Sequence, residues 1–259
     1  MEIKMIVCDL DQTLLRSDRS LSAYTLQVLE KCRKRGILLA YATARPKMAA
    51  APHKDTAKPD IIISDSGALA RIVNGDKAIY KAVLPKDIVD EILQILQKDD
   101  PVCFITASID KGILVNQTVD PNDIGWTEMN PIFADFSAGI DGDVYKITPE
   151  IYNRHTHDEI AALPGITYIP FHGEDWCTIT PENVTKWHAI QKVAEHLGIN
   201  TAHIVAFGDD FGDIEMIEGC GIGVAMGNAI DEVKAAADHI CDTNDNDGVA
   251  RWLEENLCL

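Results

Sequence analysis

Positive charge is scarce in this sequence. Its 259 residues include 23 Lys and Arg against 41 Asp and Glu, which gives a formal net charge of −18. Proteins that bind nucleic acid or anionic membranes need clustered basic side chains to neutralise phosphate groups. The composition therefore argues against nucleic acid and membrane surfaces as partners. A small anionic substrate remains possible if a metal ion or a few basic residues meet its charge locally.

Paired cysteine motifs and long apolar runs are also missing. The seven cysteines are odd in number and include no CxxC pair. We therefore expect reduced thiols and no disulfide framework. The amino terminus is charged at Glu2 and Lys4 and has no signal-peptide layout. The longest apolar runs, such as ILLAYA at 37–42, are too short to span a bilayer. These features predict a soluble cytoplasmic protein.

Two aspartates follow a short apolar segment near the amino terminus. The run IKMIVC at 3–8 predicts a buried parallel strand, and Asp9 and Asp11 stand at its carboxyl end. Open α/β sheets bind ligands at that edge. Side chains two apart on an extended segment point to the same side, so both carboxylates can share one site. Their charge must be offset, which indicates either a divalent metal or one carboxyl kept protonated as an acid.

The rest of the chain follows two patterns in turn. Strand and helix patterns alternate near the amino terminus and again towards the carboxyl terminus, which predicts parallel strands joined by helical crossovers. The middle of the chain has mostly short strand patterns, with helices only near its start and at Asn153 to Leu163. We therefore predict an α/β fold with a Rossmann-like parallel sheet core from 1–82 and 184–259. An α+β cap domain is predicted as an insert at 83–183.

Polar residues stand where several of the core elements begin or end. They are Asp9 and Asp11, Thr43, Lys186, and Asp209 and Asp213. Because the carboxyl ends of parallel strands share one edge of a sheet, these groups can converge there. Hard carboxylate oxygens with few His or Cys nearby suit Mg2+, which commonly meets substrate phosphates. A hydroxyl, a lysine and a metal around an aspartate are the groups that phosphoryl transfer uses, and a carboxylate can be the nucleophile in that reaction.

In their order and spacing these motifs resemble those of the haloacid dehalogenase-like phosphatases, most closely the Cof-type branch. The matching segments are DLDQTL at 9–14, YATAR around Thr43, NVTKWHAI around Lys186, and GDDFGDIEM at 208–216 followed by AMGNA. That branch has a large α/β cap inserted between its second and third motifs, and residues 83–183 fill this slot. The resemblance covers the whole predicted core and is specific in its four motifs.

The resemblance implies a Mg2+-dependent phosphatase that hydrolyses a small phosphomonoester, with a sugar phosphate as the substrate class. Asp9 would attack phosphorus and form an aspartyl-phosphate. Asp11 would protonate the leaving oxygen and then accept a proton from water. Thr43 and Lys186 would hold the phosphoryl oxygens. The implied Mg2+ ligands are Asp9, the main-chain carbonyl of Asp11, Asp209, and Asp213 directly or through water.

Three positions depart from the family pattern. The family usually has glycine where Gln12 and Ala44 stand, and asparagine where Gly212 stands. The missing amide at Gly212 predicts weaker catalysis with the reaction class unchanged. Asn183 or Asn228 is a candidate for a replacement contact.

The sequence leaves several alternatives open. One is a phosphomutase on the same scaffold, and another is a catalytically weak sensor that binds a phosphorylated ligand without turnover. In the predicted cap, HGEDW at 172–176 either faces the site and selects the substrate or is an ordinary loop. The oligomeric state is expected to be a monomer or a dimer.

Overall fold

A computed structural model describes residues 2–100, 103–120 and 129–257. The strands described are β1 (Met5–Cys8), β2 (Leu38–Ala42), β3 (Ile61–Ser64), β4 (Leu69–Ile72), β5 (Lys77–Lys81), β6 (Phe104–Ile109), β7 (Gly112–Val115), β8 (Ile132–Phe133), β9 (Val144–Glu150), β10 (Ile166–Pro170), β11 (Cys177–Pro181), β12 (Ile204–Gly208), β13 (Ile222–Ala225) and β14 (His239–Ile240). The α-helices described are α1 (Ala23–Lys34), α2 (Lys47–Ala57), α3 (Lys86–Asp99), α4 (Arg154–Ala161), α5 (Lys186–Leu197), α6 (Ile214–Gly219), α7 (Asp231–Ala236) and α8 (Gly248–Leu257).

The first sheet has the strand order β14-β13-β12-β1-β2-β3-β4-β5. Its strands run parallel from β14 to β3, and β4 and β5 add an antiparallel hairpin at the edge. Every residue of β1 is buried, because this central strand is covered on both faces. The carboxyl ends of β1, β2 and β12 therefore lie side by side. The predicted α/β fold with a parallel sheet is confirmed.

Helices on the two faces of this sheet bury its apolar side chains. Helix α1 begins after Ser22, whose side chain accepts a hydrogen bond from the Thr25 N–H and so satisfies one free donor of the first turn. Its buried face, which includes Val28 and Leu29, belongs to the same apolar cluster as β1. Each fully buried Val or Leu stabilises the fold by about 1.5–3 kcal/mol. This packing holds the carboxyl edge of the sheet in place.

A second sheet lies in the part of the chain from α3 to β11, which we call the insert. Its strand order is β10-β11-β9-β6-β7-β8, and it is antiparallel except for the pair β7 and β8. One face buries Ile147 and Ile179 in an apolar cluster with α3. The neighbouring residues Lys146 and Thr178 point to the opposite face, since side chains alternate along a strand. This polar face is turned towards the carboxyl edge of the first sheet.

Two local features differ from the sequence pattern. The run DIIISDSG at 60–67 has the apolar pattern of a strand, but β3 ends at Ser64 and a tight turn follows, with positive φ at Asp65, Ser66 and Gly67. Residues 117–142 are rich in Asp, Asn, Pro and Gly and have no clear strand or helix pattern. Strand β8 lies within this segment, and its residues 121–128 lie outside the described residues. None of the described helices combines the length and apolar character needed to cross a bilayer.

Candidate active site

The chain leaves β1 in a sharp turn that separates the side chains of the two aspartates. Asp11 and Gln12 have non-helical backbone angles, and Gln12 has φ 57°. The Asp9 side chain is buried, whereas the Asp11 side chain is 51% exposed. Both residues line one cavity, as the sequence predicted. Of the two, only Asp9 contributes its carboxylate to the cluster of acidic groups described next.

Three carboxylates meet at the carboxyl ends of β1 and β12. Oxygens of Asp9, Asp209 and Asp213 all lie within 4.8 Å of one another. The Lys186 ammonium, at the start of α5, donates to Asp9 Oδ1 at 2.7 Å and to Asp213 Oδ1 at 2.6 Å. Thr13 Oγ1 donates to Asp209 Oδ1 at 2.5 Å. The fold therefore brings together four of the residues that the sequence singled out.

Asp213 is the most deeply fixed member of this cluster. Its Oδ2 accepts hydrogen bonds from the backbone N–H groups of Asp209 at 2.9 Å and Asp210 at 3.2 Å. A Cβ on Gly208 would lie 2.4 Å from the Asp213 Cβ, so the close approach requires glycine there. Asp213 thus anchors both the loop and Lys186. Its remaining capacity to meet a cation is smaller than that of Asp9 or Asp209.

The cluster holds more negative than positive charge. Burial raises the pKa of Asp9 to about 7, with Lys186 opposing this rise and Asp213 adding to it. Burial and the charges of Asp9 and Asp213 raise the pKa of Asp209 to about 8. For Lys186, burial acts to lower the pKa, but the Asp213 and Asp9 charges outweigh it and raise the pKa. A set of hard, negatively charged oxygens fits Mg2+.

These pKa values predict opposite effects of pH on the metal-free protein and on Mg2+ binding. The folded pKa values of Asp9 and Asp209, about 7 and about 8, exceed the ordinary unfolded value. Between the ordinary aspartate pKa of about 4 and pH 8, the folded state binds more protons than the unfolded state. The stability of the metal-free protein therefore falls as the pH rises through this range. Mg2+ competes with these protons, so its affinity rises over the same range.

Thermal unfolding with and without MgCl2 at pH 5.5 and pH 8 tests this expectation, which is a larger Mg2+-induced rise in Tm at pH 8. Asp209→Asn is the control and is expected to reduce the rise at both pH values. An equal rise in Tm at both pH values for the unmodified protein would contradict the prediction.

Arg45 holds the carboxylate of Asp11 with two hydrogen bonds. Its Nε lies 2.7 Å from Asp11 Oδ2, and its second terminal nitrogen lies 2.6 Å from Oδ1. Burial acts to raise the pKa of Asp11, but the hydrogen bonds and charge of Arg45 prevail and lower the pKa. Asp11 is therefore ionised in this arrangement, which suits a proton acceptor. Sequence reasoning missed Arg45, although its place two residues after Thr43 was a usable signal.

Thr43 is fully buried at the end of β2, and its backbone is fixed on both sides. Its N–H donates to the Ile63 carbonyl at 2.9 Å, and its carbonyl accepts from the Ser66 N–H at 3.1 Å. The turn at 65–67 also abuts α5, because a Cβ on Gly67 would lie 2.1 Å from the Thr185 carbonyl oxygen. This turn, with its positive φ values, therefore fixes the backbone position of Thr43 and of the start of α5, the helix that carries Lys186.

A cavity of about 400 Å³ lies between the first sheet and the insert, over the acidic cluster, Lys186 and Asp11. Thr43 is not among the described residues that line it. The insert contributes Ile169, Phe171, Glu174 and Thr178 to its wall. The ring centroid of His172 lies 5.7 Å from that of Phe211, which belongs to the loop after β12. The HGEDW turn thus faces the site, which favours the substrate-selecting alternative over an ordinary loop.

The three departures from the family pattern have different structural outcomes. Gln12 adopts the left-handed φ of 57° that glycine tolerates best, and its carbonyl accepts from Asn228 Nδ2 at 2.8 Å. Ala44 does not have positive φ, so its backbone needs no glycine. Gly212 lines the cavity, and a Cβ there would meet nothing within 4 Å. Asn228 is already bound to Gln12, and Asn183 is not among the described residues that line the cavity.

The open space at Gly212 predicts that Gly212→Asn improves catalysis. The added amide can donate to a phosphoryl or carboxylate oxygen, and one such charge-assisted hydrogen bond raises kcat/KM by about tenfold. Steady-state rates on an aryl phosphate measure the change. Gly212→Leu has a similar volume and no amide, and we expect no gain from it. A gain in both variants, or in neither, would refute the role of the amide.

The chain belongs to the family of haloacid dehalogenase-like hydrolases, whose sequence profile matches residues 6–253. It is 29% identical over 270 residues to the 5-amino-6-(5-phospho-D-ribitylamino)uracil phosphatase YitU of Bacillus subtilis, with 98% of each protein covered. It is 26% identical over 281 residues to the pyridoxal phosphate phosphatase YbhA of Escherichia coli, covering 99% of this chain and 100% of that protein. A solved structure of a subclass IIB sugar phosphatase of the same superfamily has a TM-score of 0.87 and 25% identity, covering 99% of this chain and 100% of the other. Within its family the chain is a phosphatase, a phosphoric monoester hydrolase.

Proposed function

We propose that this phosphatase requires Mg2+ and hydrolyses a small phosphomonoester through an aspartyl-phosphate on Asp9. The observation that supports the proposal is the cluster of Asp9, Asp209 and Asp213, in which the buried carboxylates of Asp9 and Asp213 accept from the Lys186 ammonium. A buried nucleophile, an excess of carboxylates and a lysine at one sheet edge are what phosphoryl transfer needs. The cluster opens into a cavity of about 400 Å³, which is large enough for a small metabolite.

In the first step a carboxylate oxygen of Asp9 attacks phosphorus. The bond from Asp9 to phosphorus forms as the ester P–O bond breaks, and the leaving oxygen takes a proton from Asp11. In the second step water attacks phosphorus, Asp11 accepts its proton, and the bond to Asp9 breaks to release inorganic phosphate. Asp11 must leave Arg45 and bind a proton before the first step, because the pair with Arg45 favours the ionised form.

The remaining groups bind the phosphoryl oxygens and offset charge. Thr43 contributes its hydroxyl and Lys186 its ammonium. Asp9, Asp209 and the main-chain carbonyl of Asp11 would hold Mg2+, with Asp213 completing the acidic set directly or through water. Bound Mg2+ supplies the positive charge that lets an anionic substrate approach these carboxylates.

We further propose that 83–183 is a mobile cap on a core made of 1–82 and 184–259. The ring contact of His172 with Phe211 and the lining of the cavity by Phe171, Glu174 and Thr178 support a closed arrangement. Closure excludes bulk water and brings these side chains onto the leaving group. Glu174 and Thr178 can accept hydrogen bonds from hydroxyl groups, which favours a sugar phosphate as the substrate class.

The release of inorganic phosphate from an aryl phosphate and from a panel of phosphomonoesters tests the proposal. The panel includes sugar phosphates, pyridoxal phosphate and 5-amino-6-(5-phospho-D-ribitylamino)uracil, each with MgCl2 or with a chelator. Turnover that needs Mg2+ supports the proposal, and the fastest substrate indicates the class. Isomerised sugar phosphate without phosphate release would indicate a mutase. A folded protein that binds Mg2+ and phosphate but hydrolyses nothing would be the sensor.

A further inference from the structure

A lysine of the insert is buried against the loop after β2, which begins with Thr43 and Ala44. Lys146, on the polar face of β9, is 4% exposed, and its Nζ donates to the main-chain carbonyl oxygen of Ala44 at 2.5 Å. Burying an ammonium group carries a large desolvation cost, which hydrogen-bond and charge partners must offset. The Asp65 carboxylate, also buried, is nearby, and its Oδ1 has no hydrogen-bond partner among the described residues. Burial lowers the pKa of Lys146 to about 8, and the charge of Asp65 opposes this effect.

The carbonyl that Lys146 contacts belongs to the peptide group joining Ala44 to Arg45. The N–H of that same peptide group, on Arg45, donates to Thr43 Oγ1 at 3.0 Å. A hydrogen bond to the carbonyl polarises the peptide group and makes its N–H a stronger donor. Because Thr43 Oγ1 then accepts from the backbone, its own hydrogen is directed elsewhere. The contacts thus form a continuous path from the ammonium of Lys146 to the hydroxyl of Thr43.

We propose that Lys146 is a positioning residue that acts through the Ala44–Arg45 peptide group to orient the Thr43 hydroxyl towards the substrate phosphoryl group. The proposal rests on the role of Thr43 in the proposed function. Lys146 belongs to the insert and Thr43 to the first sheet, so the path is complete only while the insert lies on the core. Substrate enclosure and correct presentation of the Thr43 hydroxyl are thereby coupled.

A double-mutant cycle tests the path. Lys146→Met keeps the length of the side chain without its charge, and Thr43→Val removes the hydroxyl at nearly constant shape. We expect Lys146→Met to lower kcat/KM for an aryl phosphate by about tenfold, as for directly coupled polar residues. We expect it to weaken inhibition by inorganic phosphate in parallel. In the Thr43→Val background the same change is expected to have less than about a twofold further effect on either quantity.

Lys81→Met is the matched control. Lys81 also joins the first sheet to the insert, through Asp110 at 3.2 Å and Asp143 at 3.0 Å, and it makes no contact with the Thr43 loop among the described residues. We expect Lys81→Met to change kcat/KM and phosphate inhibition by the same factor with and without the Thr43 hydroxyl. Equal effects of Lys146→Met in both backgrounds would overturn the proposal, since a merely structural role does not depend on Thr43.

A second variant and a second measurement allow the proposal to be tested if the first ones fail. If Lys146→Met does not fold, Lys146→Gln, which is neutral and shorter, is taken through the same cycle. If the unmodified protein hydrolyses nothing, the proposed function fails, and the cycle is measured on calorimetric binding of inorganic phosphate. Coupling between the two positions in that binding would still support the path, and independent effects would overturn it.

Discussion

Replacing Asp9 with asparagine is expected to abolish turnover while the protein stays folded. The amide cannot form the acyl-phosphate bond, and loss of the nucleophile lowers kcat by about 10⁴-fold or more. The substitution also removes one negative charge from the acidic cluster that Asp9 forms with Asp209 and Asp213. We therefore expect the Tm in Mg2+-free buffer to be unchanged or higher. Phosphate release and thermal unfolding measure the two effects.

Asp210→Asn is the matched control for this prediction. Asp210 also lines the cavity, but its carboxylate accepts from the Phe211 N–H at 2.8 Å and is not part of the acidic cluster. Asparagine preserves that capping role, so we expect a loss in kcat of less than about tenfold. If Asp9→Asn retained a substantial part of the activity, Asp9 would not be the nucleophile. If it unfolded the protein, the charge balance described for the cluster would be wrong.

Replacing Lys186 with methionine is expected to lower both activity and stability. Lys186 bridges Asp9 Oδ1 and Asp213 Oδ1, and its side chain is 7% exposed. Removing one partner of a buried ion pair costs about 3–5 kcal/mol of folding free energy, because the other charges remain. The loss of a charge-stabilising group at the phosphoryl oxygens lowers kcat by about 10²–10³-fold. Denaturant unfolding in Mg2+-free buffer and steady-state kinetics check the two values.

Lys192→Met on the same helix provides the comparison. Its side chain is 44% exposed and lies near Glu195, so the change is expected to alter stability by less than about 0.5 kcal/mol. Mg2+ is expected to recover part of the stability lost in Lys186→Met, because it also offsets the carboxylate charges. Equal stabilities of the two variants without Mg2+ would contradict the buried ion-pair assignment.

Much of the core was predictable because its strands and helices carry strong local signals. The apolar run before Asp9 is one such signal. Ser22 at the start of α1 and Asn74-Gly75 between β4 and β5 are residue types that favour a helix cap and a hairpin turn, each within a few residues. Parallel topology then brings distant strand ends to one edge. For this reason the sequence predicts that Asp9, Asp209 and Lys186 lie close together although they are far apart in the chain, and the structure brings them together.

Side-chain directions within the site were less predictable. The alternation of a straight strand indicated that Asp9 and Asp11 point the same way, but the kink at Gln12 sends Asp11 to Arg45. The contact of Lys146 in β9 with Ala44 in the loop after β2 joins residues 102 positions apart, and no local pattern specifies it. Likewise the turn at 65–67 follows a run that is equally suited to a longer strand.

The central position of β1 has a consequence for how the protein is made. Met5 of β1 is in register with Leu38 of β2 on one side and with Ile204 of β12 on the other. Until β12 has been synthesised, β1 lacks one of its two neighbours, and the nascent chain carries Asp9 without Lys186 or Asp209. Such distant pairing slows folding, since a long loop must close first. Asp9 therefore gains Lys186 and Asp209 as neighbours only after α5 and β12 have joined the sheet.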